Sequence, residues 1–257
     1  MVYAVWSDRG EREINEDAVG HGASGENECY LVCDGLGGHE KGEVASRMAV
    51  ATALEVFGKL SAERADSRTI LEQCFLNCQE KVTAYQKEHR SASDMKTTMT
   101  MLLKTGGSVR WGHIGDTRVY RFQAGKMVSR TFDHSVPQML VYSGEIKESQ
   151  IRFHEDRNRL LKVIGAPWNK PQYEISEASA LTDREAFLMC TDGFWEWITE
   201  DEMARFLAAA RTPAEWLDAM QQHVLRSGRG NNMDNYSAIA VYHGEPWKKR
   251  SLFGIFG

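Results

Sequence analysis

The chain has 257 residues, 42% of them hydrophobic and 26% charged, with a formal net charge of -5. That length buries one sizeable core, so a single domain is expected over residues 1–244, followed by a short basic and aromatic tail, 245–257. The acidic balance excludes a general attraction to nucleic acid or to an anionic membrane, and no apolar run approaches membrane-spanning length.

Tyr3 to Trp6 reads as a first strand. Residues 1–6 lack the basic and apolar regions of a signal peptide, and the five cysteines, Cys29, Cys33, Cys74, Cys78 and Cys190, form no C-x-x-C pair. Reduced, buried thiols and a cytoplasmic location are the expectation. Cys29 to Cys33 reads as a buried strand running into Asp34-Gly35-Leu36-Gly37-Gly38, where glycine permits a tight turn. Two helices follow, one over Glu43 to Leu60 and one carrying Ile70, Leu71, Cys74, Phe75, Cys78, Val82 and Tyr85 at helical spacing.

Thr97 to Leu103, Val109 to Ile114 and Arg118 to Phe122 read as strands joined by short turns, which implies antiparallel pairing. Ala186 to Cys190 is a further strand ending at Thr191-Asp192-Gly193. Glu200 to Ala210 and Ala214 to Leu225 read as helices around Thr212-Pro213, and Tyr236 to Tyr242 is the closing strand. Trp195 and Trp197 are expected to fill the core. Antiparallel strands segregated from paired helices predict an α+β layered domain.

The acidic residues that stand apart are those at strand ends or beside glycine: Glu16, Asp17, Asp34, Asp116, Asp192 and Asp234. Carboxylates gathered at one sheet end repel one another, and oxygen-rich sites of that kind are stabilised by hard cations, Mg²⁺ or Mn²⁺ rather than Zn²⁺. In chain order the motifs are G-E-R-E-I-N-E-D (Gly10 to Asp17), D-G-L-G-G (Asp34 to Gly38), T-T-M-T (Thr97 to Thr100) and G-D-T-R-V-Y (Gly115 to Tyr120). D-H-S (Asp133 to Ser135), T-D-G (Thr191 to Gly193) and D-N (Asp234 to Asn235) complete them. This series, over nearly the whole chain, resembles the metal-dependent type 2C protein phosphatases (PPM family), in particular the bacterial stand-alone members.

The resemblance implies a four-layer αββα sandwich, two antiparallel sheets flanked by helix pairs, and hydrolysis of phosphoserine and phosphothreonine in proteins. It implies two Mn²⁺ or Mg²⁺ ions: Asp34 bridging both, Asp192 and Asp234 completing one site, Glu16 and the carbonyl of Gly35 serving the other. Asp17 would act through waters held around the ions, Asp116 with Asp192 would hold a third ion, and Arg12 would hold the substrate phosphate, a role suited to its planar charged fork. Ions roughly 3.5–4 Å apart activate water for in-line attack and offset phosphoryl charge, so no covalent phosphoenzyme is expected. No C-x₅-R loop is present, in agreement.

Many relatives carry a histidine in the middle of the D-G-x-G-G loop, where this chain has Leu36, which has no proton to donate. A water acidified by an ion is the expected acid, with His39 as the alternative. Asp133 to Arg159 corresponds to the flap beside the active site, and Ser143 and Glu145 are expected to contact residues flanking the phosphate. The expected partners are phosphorylated proteins and a cognate serine/threonine kinase, and the chain is expected to be a monomer. Two other readings share these residues: a phosphoprotein-binding pseudophosphatase, disfavoured by the full carboxylate set, and a hydrolase of small phosphate esters on the same scaffold.

Overall fold

The computed structural model describes residues 1–37 and 41–244, so Gly38, His39 and the tail lie outside the described residues. One antiparallel sheet runs in the order β1 (Val2–Asp8), β13 (Tyr236–His243), β12 (Glu185–Cys190), β8 (Arg118–Gln123) and β9 (Lys126–Arg130). The other runs β10 (Glu174–Ile175), β7 (Ser108–Ile114), β6 (Met99–Thr105), β3 (Asn27–Cys33) and β2 (Ala18–Ser24), with β11 (Ser179–Ala180) also on β7. β4 (Gly35–Leu36) and β5 (Lys96–Thr97) make a small separate pair.

Strand side chains alternate between faces, and each central strand here is apolar on both. On β3, Cys29, Leu31 and Cys33 pack with α1 (Lys41–Ala62) and α2 (Ser67–Glu88), while Tyr30 and Val32 turn the other way. On β12, Ala186, Leu188 and Cys190 pack with α5 (Glu200–Ala209) and α6 (Pro213–Gly228), while Phe187 and Met189 meet Tyr30 and Val32 between the sheets. The result is the four-layer αββα sandwich expected of the family, with three stacked apolar interfaces. Two shorter helices, α3 (Val136–Tyr142) and α4 (Asp192–Trp195), lie outside the layers.

The helix ends follow local chemistry. Asp66 caps α2 by accepting from the N–H groups of Arg68 and Thr69, Thr199 and Glu202 form a capping box on α5, and Thr212 caps α6 ahead of Pro213. Of the strands longer than two residues, β2 and β9 have no counterpart in the sequence reading. In β2, Ala-Val-Gly-His-Gly-Ala-Ser, the glycines weaken the strand pattern but are required by packing. A Cβ on Gly20 would stand 2.6 Å from Val50 of α1, and one on Gly22 would stand 3.0 Å from Leu54. β9 exposes Met127 and Val128 and lacks inward alternation.

Register decides where the acidic residues emerge. Cys33 pairs with Ala18, Met99 with Ile114, Cys190 with both Arg118 and Ala238, and Asp8 with Tyr236. Residues just beyond those pairs, Asp17, Asp34, Asp116, Asp192 and Asp234, therefore leave their sheets at matching ends.

Candidate active site

At that end Arg12, Glu16, Asp34, Gly35, Asp116, Asp192 and Asp234 line one cleft of about 760 Å³, together with Leu36, Asn158, Leu160 and Asn235. The threonine motif fixes two of its loops. Asp34 N–H donates to Thr98 Oγ1 (2.9 Å), Thr97 Oγ1 donates to the Asp34 carbonyl (2.8 Å), and Thr100 Oγ1 donates to the Thr117 carbonyl (2.6 Å). Asn235 fixes the N-terminal loop, accepting from Glu16 N–H (2.8 Å) and donating to the carbonyls of Arg9 and Ile14 (2.9 and 2.8 Å). Gly10, at φ +60°, lies so close to the next loop that a Cβ would stand 2.2 Å from the Asp234 carbonyl oxygen.

Close approach also explains Gly35 and Gly42. A Cβ on Gly35 would meet the Gly42 carbonyl oxygen at 2.2 Å, and one on Gly42 would meet the Glu16 carboxyl carbon at 2.8 Å. The start of α1 is thereby pressed against both, and the Glu16 carboxylate accepts from the N–H groups of Gly42 and Glu43. Those orphan donors favour negative charge at Glu16. Burial outweighs them and raises its pKa.

Burial, then mutual repulsion, raises three more of the acids: Asp34 and Asp116 well above the carboxylate range, and Asp192 to about 6. Against the six acids of the lining, Glu13 among them, the described residues supply one guanidinium: Arg12 Nη2 is 2.9 Å from Asp234 Oδ2. Asp17 does not line the cleft. It sits behind it, accepts from Thr191 Oγ1 (3.0 Å), leaves Oδ1 without a partner, and is pushed up to about 8 by burial first and by Asp192 next.

The donor set fits hard divalent cations. It is all oxygen, it carries excess negative charge, and carboxylates that repel one another face a shared open space. Glu16, Asp34, Asp116, Asp192, Asp234 and the Gly35 carbonyl are the oxygen donors on the cleft wall that could hold such ions.

Several contacts near the cleft carry no signal in the sequence. Trp195, core-packed as expected, also donates its indole N–H to the Asp116 carbonyl (3.0 Å), and the Arg118 guanidinium stacks 3.4 Å above its ring. Glu196, pushed up to about 8 by burial and then by Asp192, pairs with Arg157 of the flap at 2.9 Å. These partners are 39 or more residues apart, beyond the reach of local pattern. Ser143 and Glu145 hydrogen-bond each other (2.7 Å) on the exposed end of α3 and do not line the cleft; Asn158 of the flap and Leu160 just beyond it do.

Comparison with known proteins agrees with this geometry. A family model described as "Protein phosphatase 2C" matches residues 7–228. The serine/threonine phosphatase stp of Listeria monocytogenes serotype 4b is 27% identical over 239 residues, covering 91% of this chain and 93% of that protein. The crystal structure of the Mycobacterium tuberculosis serine/threonine phosphatase PstP/Ppp superposes with a TM-score of 0.81 at 25% identity, over 95% of this chain and 98% of that one. The catalytic domain of serine threonine protein phosphatase PstP in complex with 2 manganese ions gives a TM-score of 0.78 at 25% identity, over 93% and 97%. Sequence motifs, sandwich and carboxylate cleft thus converge with the family match, and the chain belongs to the protein phosphatase 2C family.

Proposed function

We propose that the cleft between the two sheet ends is where this chain removes phosphate from phosphoserine and phosphothreonine in proteins. The chain is a Mn²⁺- or Mg²⁺-dependent protein serine/threonine phosphatase whose substrates are phosphorylated proteins. The observation that carries the site is the convergence of Glu16, Asp34, Asp116, Asp192 and Asp234 with, among the described residues, a single lining guanidinium, Arg12.

In this reading Asp34, Asp192 and Asp234 would hold one ion, Asp34, Glu16 and the Gly35 carbonyl a second, and Asp116 with Asp192 would offer a place for a third. When bound, the ions supply Lewis-acid activation of water and neutralise phosphoryl charge. The protein does the positioning. Arg12 exchanges Asp234 for the phosphate and presents two N–H groups to its oxygens. Asp17 orients water from behind the carboxylates. Leu36 lines the cleft without a proton to give, so the alkoxide takes its proton from water or from His39, which lies outside the described residues.

Residues 1–244 act as one phosphatase domain, monomeric and cytoplasmic, opposing a serine/threonine kinase; among the described residues no helix is long and apolar enough to cross a membrane. The test is Mn²⁺-dependent phosphate release from a phosphothreonine peptide by the native chain, Asp34→Ala and Asp192→Ala, with EDTA as control. Turnover lost in both variants and in EDTA supports the reading. Folded, metal-loaded native protein without turnover would return the chain to the phosphoprotein-binding alternative.

A further inference from the structure

We propose that Asn158 reads the main chain of the substrate peptide beside the phosphorylated residue, and so separates phosphoproteins from small phosphate esters. This rests on the phosphoprotein reading above.

Of the described residues lining the cleft, only Arg12, Asn158 and Asn235 carry side-chain N–H donors. Arg12 is engaged with Asp234, and both polar ends of Asn235 are spent on Glu16, Arg9 and Ile14. Asn158 alone, among the described residues, is an amide on the wall with no intramolecular hydrogen bond. A carboxamide offers one acceptor and two donors, which matches the C=O and N–H of a peptide group. A phosphate dianion presents acceptors only and is repelled by Oδ1, so it is the poorer partner for Asn158 and the better one for Arg12.

An exposed amide on a loose loop would carry little specificity, but this one is fixed on both sides. On the N-terminal side, Arg157 pairs with Glu196, whose N–H donates to the Asp192 carbonyl at 2.9 Å. On the C-terminal side, the Arg159 carbonyl accepts from Val136 N–H at 2.9 Å, Leu160 bridges to Ser135, and Leu161 N–H donates to the His134 carbonyl at 2.8 Å. His134 N–H in turn donates to the carbonyl of Gly115, the neighbour of Asp116, at 2.9 Å. The two anchors of Asn158 thus lead back to two of the cleft's own acids. Leu160, on the same wall, is the apolar surface that a neighbouring substrate side chain would meet.

The experiment measures kcat/KM of the native chain, Asn158→Ala and Asn158→Asp with Mn²⁺ on a phosphothreonine peptide and on p-nitrophenyl phosphate. The peptide-to-ester ratio of kcat/KM is expected to fall about three- to tenfold in Asn158→Ala, mainly through KM, as for loss of a neutral hydrogen bond. Asn158→Asp, which keeps the shape but loses the donor, falls at least as far. Glu155→Gln, an exposed flap control, keeps the native ratio. A peptide with the flanking amide replaced by an ester should be penalised by the native chain and not by Asn158→Ala. Equal losses on both substrates, or no loss on either, would overturn the assignment. A native chain that cleaves the ester and not the peptide would instead overturn the phosphoprotein reading beneath it.

Discussion

Arg12 and Asp234 are joined at 2.9 Å across a sequence separation of 222 residues, and the proposed mechanism needs both elsewhere during turnover. The pair is partly exposed, at 42% and 38% for the two side chains, so its own worth is at most about 1 kcal/mol. An ion bound at Asp234 therefore releases the guanidinium at small cost. Arg12→Ala is expected to lower kcat/KM on a phosphopeptide by about 10- to 100-fold, the range for losing a charged hydrogen bond. Mn²⁺ affinity, read by calorimetry, should stay level or rise slightly because a competitor for Asp234 is gone. Weaker metal binding in this variant would contradict the exchange.

Asp17 lies behind the cleft, with Thr191 Oγ1 on one oxygen and no partner on the other. Residues that orient ligands or their waters without touching the ion typically change metal affinity by about 10- to 100-fold when altered. Asp17→Asn should weaken Mn²⁺ binding by that factor while raising the melting temperature in EDTA, since a buried carboxylate repelled by Asp192 is removed. A variant less stable than native in EDTA would show that Asp17 serves the fold instead.

Much of this site is legible in the sequence for a physical reason. Asp34 and Asp192 each follow an apolar strand and precede glycine, so strand end and exposed carboxylate are encoded within a few residues. The T-T-M-T run is legible only as a motif, because what Thr97, Thr98 and Thr100 hold is backbone from the Asp34 and Thr117 loops. The flap contacts are less accessible still. Ser143 and Glu145 attract notice as polar residues in a loop, yet the residues at the cleft are Asn158 and Leu160, placed by pairing with Ser135 and Val136. That pairing is tertiary, and no local pattern announces it.

Arg118 and Asp133 form a bidentate pair at 2.7 and 2.6 Å with both side chains 1% exposed, under the ring of Trp195 that holds the Asp116 carbonyl. Removing one partner strands a buried charge, so Arg118→Ala or Asp133→Ala should cost about 3–5 kcal/mol in urea denaturation. The double variant Arg118→Met with Asp133→Leu should recover most of that loss. Its Mn²⁺ affinity should remain below native, because the support under Asp116 has changed. Single variants within about 1 kcal/mol of native would show the pair to be dispensable.

His134 gives the pH dependence its sign. Its ring lies 4.7 Å from that of His113 at an interplanar angle of 11°, so their in-plane lone pairs do not converge on one ion, and hydrogen bonds account for the arrangement instead. Nδ1 accepts from Gly115 N–H (3.2 Å) and Nε2 donates to Glu174 (2.9 Å). Burial, and then the charge on His113, lowers the His134 pKa from 6.5 to about 4, against the opposing pull of Glu174. The folded protein keeps His134 neutral while the unfolded chain protonates it from pH 6.5 downward. Between pH 6.5 and about 4 the unfolded state therefore binds more protons, and this stabilising contribution, full above 6.5, is lost as pH falls. His134→Asn, which keeps an acceptor for Gly115, lacks the titration. The stability advantage of native over variant should shrink by on the order of 3 kcal/mol between pH 7 and pH 4. Urea denaturation of both proteins at several pH values reads it directly, and a difference that stays flat or widens toward acid would mean that His134 is protonated in the folded state.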